Sequence, residues 1–362
     1  MLTQVMMVIM NANNMNFKED DGMRLYHAEE VPCHVREPFI YTGYRGRCGT
    51  ALRCLRTTLF VRSNETLNFW THVVPAVYFA WTAVSWWFSE TSLSGSSWLA
   101  LTIYLSTVCI VPVTSAIAHM FSCASDKAWH ICFFADYAAL SVYAIGASVA
   151  YRFFAFPPVL HGGWYAALYI PLSGFIAAAS LAGSCWSRFL PDGTRRKAIR
   201  FFSLALPYLF DIAPVVYGLV TDSEAFKSSR ILHQRQFVAA FLAAVIYCLH
   251  LPERLFPGQF DFIGHSHQIF HVIASLGCRD QMMAFLQTAA SGGTQAGDII
   301  PIAGVVIIVA VVIAADVAIL ICFIGQLKWT VMPCESPPKS GQHYTSSLGR
   351  QSCNDVALQK YK

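Results

Sequence analysis

Apolar and polar positions alternate along this chain in long blocks, not with the two-residue period of a strand. Apolar stretches recur near 69–88, 98–121, 129–150, 164–186, 199–220, 236–251, 266–286 and 299–325, with short polar segments between them. A helix rises about 1.5 Å per residue, so about 20 residues are needed to cross a bilayer. The sixth stretch is short but extends backwards into "ILHQRQ". The seventh opens on histidines and carries Cys278, Arg279 and Asp280 in its second half. It crosses only if neighbouring helices or an aqueous interior shield its polar face. The pattern predicts an all-α, polytopic membrane protein with a seven-helix core and an eighth, C-terminal transmembrane helix.

These blocks divide the chain into an N-terminal region (1–62), the seven-helix core (63–290), an added transmembrane helix with its preceding loop (291–327) and a polar Ser/Pro/Gly-rich tail (328–362). The composition of the tail predicts disorder. The first ten residues, "MLTQVMMVIM", are apolar but have no basic n-region, so no cleaved signal peptide is expected.

Composition strengthens the membrane reading. Of 362 residues 55% are hydrophobic and only 13% charged, where a soluble domain carries about a quarter charged residues. No nucleic-acid partner is expected. The net charge of +4 matters less than its placement. Arg36, Arg45, Arg47, Arg53, Arg56 and Arg62 precede the first stretch, and Arg188, Arg195, Arg196, Lys197 and Arg200 lie between the fourth and fifth, on the same side. The other side sees "SETSLSGSS", Arg152 and a weaker cluster at Lys227, Arg230 and Arg235. The positive-inside rule therefore predicts a cytosolic N-terminus, and eight crossings return the tail to the cytosol. The sequon Asn64-Glu65-Thr66 would then lie in the cytosol, unmodified.

The twelve cysteines show no C-x-x-C pairing. They read as small buried hydrophobes or free thiols, not as a disulfide scaffold or a thiolate metal site.

Orientation brings candidate ligands to one depth. The second stretch runs inward and ends in "TSAIAHMF", so His119 lies at the cytosolic boundary. The seventh runs outward from "GHSHQIFH" at 264–271 and starts in the same layer. His267 and His271, four apart, share a helix face, whereas His265 points elsewhere. Three imidazoles suit a zinc ion with one open position; magnesium and calcium prefer oxygen ligands, and nitrogen ligation leaves iron open. Asp136 lies about two turns into the third stretch, where a carboxylate is costly unless paired or hydrated. It could act as a base, orient a ligand imidazole, cap a broken helix or pair with Arg200. Ser115, four residues before His119, could serve the same centre or bond its own backbone. His72 begins the first stretch at a similar depth; it reads first as a lone interfacial histidine and is otherwise a spare candidate for the same centre. Asp211 and Asp316 sit at mid-span, away from this layer: Asp211 could line a cavity where Pro214 bends the helix, and Asp316 could contact a ligand or pack helices.

The blocks "REPFIYTGYR" (36–45), "SNETLNFWTH" (63–72), "SAIAH" (115–119), "FFADYAALSVY" (133–143) and "PERLFPGQFDFIGHSHQIFH" (252–271) resemble the signature blocks of the progestin and adipoQ receptor family. The resemblance implies a zinc held by His119, His267 and His271 near the cytosolic face, with Asp136 and Ser115 beside it. The eighth stretch and "DIAPVV" look more like the membrane progestin receptor branch than the adiponectin receptors. That branch implies a plasma-membrane receptor that binds a progestogen or another apolar lipid and signals rapidly, through G proteins. The likeness to alkaline ceramidases implies an alternative, a zinc-dependent intramembrane lipid amide hydrolase with Asp136 and Ser115 as catalytic residues. A purely structural zinc is the third possibility.

Overall fold

The computed structural model describes residues 24–89, 93, 95–190, 194–221, 223, 227–291 and 301–327. The tail 328–362 and the first ten residues, for which disorder and the lack of a signal peptide were expected, lie outside the described residues. The long helices follow the apolar blocks closely: α2 (Thr66–Trp87), α3 (Gly95–Phe121), α4 (Asp126–Phe154), α5 (Gly163–Ser187), α6 (Thr194–Val220), α7 (Arg230–Leu249), α8 (Ser266–Ala290) and α9 (Ile302–Gln326). The short sixth block does gain "ILHQRQ", reaching 20 residues.

Six of these helices, α3 to α7 and α9, are long and apolar enough to cross a membrane. The protein is an all-α polytopic membrane protein apart from a two-residue strand pairing, Leu25–Tyr26 with Tyr44–Arg45. Helices α2 and α8 are as long but more polar, the first through Asn68, Thr71 and His72, the second through its histidines, Arg279, Asp280 and Gln281.

The polar face of α8 is shielded as the sequence requires. Asp280 is buried and accepts from Arg235 Nε at 2.9 Å and Arg279 at 2.8 Å. Gln281 Oε1 accepts from the hydroxyls of Tyr104 (2.9 Å) and Tyr143, while its amide donates to Tyr151 at 2.7 Å. A buried amide with all these partners avoids most of the cost of leaving water.

The bundle is built by α3 on α4, α2 on α3 and α8, α4 on α5, and α7 on α8. Among the described residues α6 and α7 share no comparable packed interface, so the wall is loosest there. Helix α9 lies outside, against α4 and α5. Where α4 packs on α3, a Cβ on Gly146 would clash with the Thr107 side chain, 2.9 Å from its Cβ, so a larger residue would push the two helices apart.

A short helix, α1 (Ala51–Phe60), precedes the bundle. Thr50 caps it by accepting from Arg53 N at 3.4 Å. It buries Cys54, Thr57 and Thr58 and exposes Leu52, Leu55, Leu59 and Phe60 beside Arg53 and Arg56, the composition of a helix lying on a bilayer surface.

Candidate metal centre

Three helices deliver histidines to one end of the bundle. His119 ends α3, His267 and His271 occupy the first two turns of α8, and His72 comes from the second turn of α2. Ring centroids lie 4.3 Å apart for His267–His271, 5.2 Å for His119–His271 and 5.4 Å for His119–His267. His72, the spare candidate read first as interfacial, joins them: its ring lies tilted 4.0 Å from His271 and stacked 5.5 Å from His119. Ligand atoms of His72, His119 and His271 all lie within 4.8 Å of one another. The site thus gathers four imidazoles, and the helix direction of α2, opposite to that of α3, is what adds the fourth.

The rings are held so that a nitrogen remains free. His119 Nδ1 meets Glu65 Oε2 at 2.7 Å and His271 Nδ1 meets Thr71 Oγ1 at 3.0 Å. Both partners engage Nδ1, which leaves each Nε2 as a donor atom for a metal, the arrangement in which an outer carboxylate or hydroxyl orients a ligating histidine. Burial pushes the Glu65 carboxyl up, but the neighbouring His119 imidazole and Arg45 outweigh it and hold it below the ordinary carboxylate range. An ionised Glu65 accepts the Nδ1 proton of a neutral ring. The all-nitrogen donor set and its anchored tautomers fit zinc.

Asp136 accepts a hydrogen bond from Ser115 Oγ. That contact joins α4 to α3 one turn before His119, and it replaces the alternatives in which Ser115 bonds its own backbone or Asp136 pairs with Arg200, whose Nε donates to Ser187 at 3.3 Å. The role of orienting His119 falls to Glu65. Asp211, buried at mid-bundle, accepts from Ser173 Oγ at 2.6 Å, and Asp316 from Ser141 Oγ at 3.1 Å.

The loops explain why the N-terminal block belongs to the site. Arg45, counted above only as a topological charge, is buried; it donates to the carbonyls of His119 and Met120, to Thr58 Oγ1 at 2.6 Å and to Ser122 Oγ at 3.1 Å. A guanidinium on the last carbonyls of α3 complements the negative end of that helix and fixes His119. Asp261 accepts from the backbone N–H groups of Tyr41 (3.1 Å) and Thr42 (2.8 Å), tying this segment to the α7–α8 loop. Glu253 accepts from Ser266 N at 2.7 Å and so caps α8. Gly264 turns with φ +84°, and its N–H donates to Gln268 Oε1 at 2.6 Å; the residue standing where zinc peptidases have a glutamate closes this turn. Asn64 of the sequon is buried, its carbonyl accepting from Gln268 Nε2 at 3.5 Å. A small cleft of about 30 Å³, lined by Glu37, Tyr247, His250, Glu253, His265 and His267 among others, abuts the cluster.

The described cysteines are free thiols, most of them buried or half-buried, and three of them meet in a second cluster. Cys48, Cys54 and Cys123 are buried with their sulfurs within 4.8 Å of one another. Residues 48, 54 and 123 share no spacing motif, and only the docking of the N-terminal segment on the end of α3 unites them.

The sequence profile of the family described as haemolysin-III related matches residues 60–282, which take in every histidine of the cluster. The chain belongs to that family. Among its relatives, human membrane progestin receptor gamma is 38% identical over 268 residues, 73% of this chain and 81% of the relative. Membrane progestin receptor gamma-B of Danio rerio is 37% identical over 285 residues (72% and 81%), and human membrane progestin receptor delta 34% over 273 residues (73% and 78%). Within this wider family the chain falls with the membrane progestin receptor branch of the progestin and adipoQ receptors, as the signature blocks implied.

Proposed function

We propose that this chain is a plasma-membrane receptor for a progestogen or a chemically similar apolar lipid, with an intramembrane zinc held by His119, His267 and His271. The observation that carries the ligand class is the set of relatives named membrane progestin receptors, matched over nearly three quarters of the chain. The loose wall between α6 and α7 supports it physically, because an apolar ligand in the bilayer can enter there without crossing a packed interface. Rapid signalling through a G protein belongs to the same proposal. The test is saturable binding by the full-length protein in lipid nanodiscs. A progestogen should saturate and win over cholesterol, whereas simple partition gives neither saturation nor stereochemical preference. Non-saturable uptake by folded, metal-loaded protein overturns the steroid reading.

We place the N-terminus in the cytosol, with α2 and α8 crossing alongside the six apolar helices, so that the tail from 328 is cytosolic and the histidines lie near the cytosolic face. The described part of the N-terminal region, residues 24–62, then covers the mouth of the 63–290 core. Tags at both ends should react only in permeabilised cells. A C-terminal tag reached on intact cells refutes the eight-crossing count.

The Ser115–Asp136 hydrogen bond favours a second reading, a lipid amide hydrolase. When bound, zinc would supply Lewis acidity toward an amide carbonyl. Asp136 would take a proton from the attacking nucleophile, Ser115 would orient that carboxylate by donating its hydroxyl proton to it, and Glu65 would hold the His119 ring. Hydrolysis and reception are compatible if the product is the signal.

A further inference from the structure

Three cysteines meet where the N-terminal segment, α1 and the end of α3 are joined. Cys48 precedes α1, Cys54 lies in its first turn and Cys123 follows α3; their exposures are 0%, 0% and 6%. Cys48 N donates to Cys123 O at 3.0 Å, so the backbone itself holds two of the thiols together. Cys48 Sγ also lies 3.7 Å from Thr57 Oγ1. The three also pack against Ala124, Ala128 and Phe121, and Cys185 is likewise buried among apolar side chains, but it has no second thiol beside it in its cluster, the usual situation of an inert thiol.

The cluster has the chemistry of a soft-metal site. Sulfurs around one ion at about 2.3 Å sit roughly 3.8 Å apart, so sulfurs within 4.8 Å reach that spacing by a movement of about 1 Å or less. The Arg45 guanidinium acts electrostatically on all three sulfurs, and its Nε has no hydrogen-bond partner. Thiolates select soft, closed-shell ions over the oxygen-seeking ones. We propose that Cys48, Cys54 and Cys123 form a second metal site, for Zn²⁺ or Cu⁺, which staples the N-terminal segment and α1 to the end of α3. It lies four residues past His119 and shares Arg45 with it, so loading this site would steady the helix end that presents the histidine. The inference stands apart from the receptor reading.

Cadmium is the probe, because a thiolate-to-cadmium charge-transfer band reports sulfur ligation and the histidine centre gives none. Titrating Cd²⁺ into the full-length, reduced protein in detergent should raise this band to saturation at one equivalent. Cys123→Ser and Cys54→Ser should each reduce it at least fivefold, and Cys185→Ser should leave it intact. Competition with Zn²⁺ and with Cu⁺ then identifies the resident ion. Should the serine variants fail to fold, the wild-type chain still decides: alkylation mapped by mass spectrometry should label Cys48, Cys54 and Cys123 faster after chelation than with metal bound. No saturable band, a band that survives Cys123→Ser, equal labelling in both states, or a disulfide among the three in protein purified without oxidant overturns the site.

Discussion

Helices α8 and α9 are both 25 residues long, and the sequence ranks them in the opposite order from the fold. Helix α9 is almost wholly apolar, yet it buries only Val305, Val312 and Asp316 and turns Ile307, Val311, Val317 and Ile321 outward. Helix α8 is too polar to qualify as a span by composition, yet eleven of its residues are buried, among them His271, Asp280 and Gln281. Hydropathy therefore reports which helix faces lipid. The helix that carries chemistry reads poorly because its polar groups are paid for by partners on other helices, and those partners are invisible to a window moved along one segment.

The largest effects should follow from emptying the histidine face of α8. His271→Ala removes one ring from the cluster and leaves Thr71 without its partner. Elemental analysis should fall from about one zinc to below a tenth at the histidine site, with folded yield reduced. Four rings compete for three positions, so His267→Ala and His72→Ala form the discriminating pair. We expect His267→Ala to lose the metal and His72→Ala to keep it. The reverse pattern would move α2 into the ligand set and α8's first histidine out of it.

Asp136→Asn comes next, because it keeps the volume of the side chain and most of its hydrogen bonding but removes the base. Metal content should stay within error of the wild type while any ceramide hydrolysis drops at least a hundredfold, the usual scale for a lost general base. Turnover that survives the change ends the catalytic role of Asp136 and leaves it as an anchor for Ser115.

Much of this contrast was legible in the chain. Block lengths gave the helices to within a few residues, and opposed helix directions brought His119, His267 and His271 to one end. What was illegible depends on loops. Glu65 and Thr71 sit just before and within α2, but only tertiary packing shows that they hold the Nδ1 atoms of histidines 54 and 200 residues away. Arg45 looked like one more positive charge for topology, because nothing local says that it ends on the carbonyls of α3. The three cysteines escaped for the same reason. Asp261 and the turn at Gly264 dock the segment that carries Cys48, and no spacing rule encodes that docking.

Gln281→Leu should give a moderate effect. It strips a shared partner from Tyr104, Tyr143 and Tyr151, and each buried polar group left unsatisfied costs about 1–3 kcal/mol. Partial rescue through Tyr151 to Gln236 Oε1, 3.3 Å away, keeps the total toward the lower end. A melting temperature in detergent several degrees below wild type, with zinc retained, is the expected result. An unchanged melt would show that water already serves these hydroxyls.

The smallest effect should come from the one acid of α9. Asp316 is 2% exposed, and Ser141 Oγ donates to its Oδ1 at 3.1 Å while Oδ2 has no partner. Among the described residues Asp316 is given no ion pair, and its one hydrogen-bond partner is Ser141 of α4, so the carboxyl contributes one hydrogen bond and carries the cost of its own burial. Asp316→Leu removes that cost and fills the space with an apolar side chain; Ser141 can then turn its hydroxyl to its own helix backbone. The two terms nearly cancel, and the melting temperature should stay level or rise slightly, in contrast to Gln281→Leu on α8. A fall as large as that of the Gln281 variant would mean that Asp316 binds a group the helix packing does not reveal, and that α9 is a working part of the bundle and not an outer buttress.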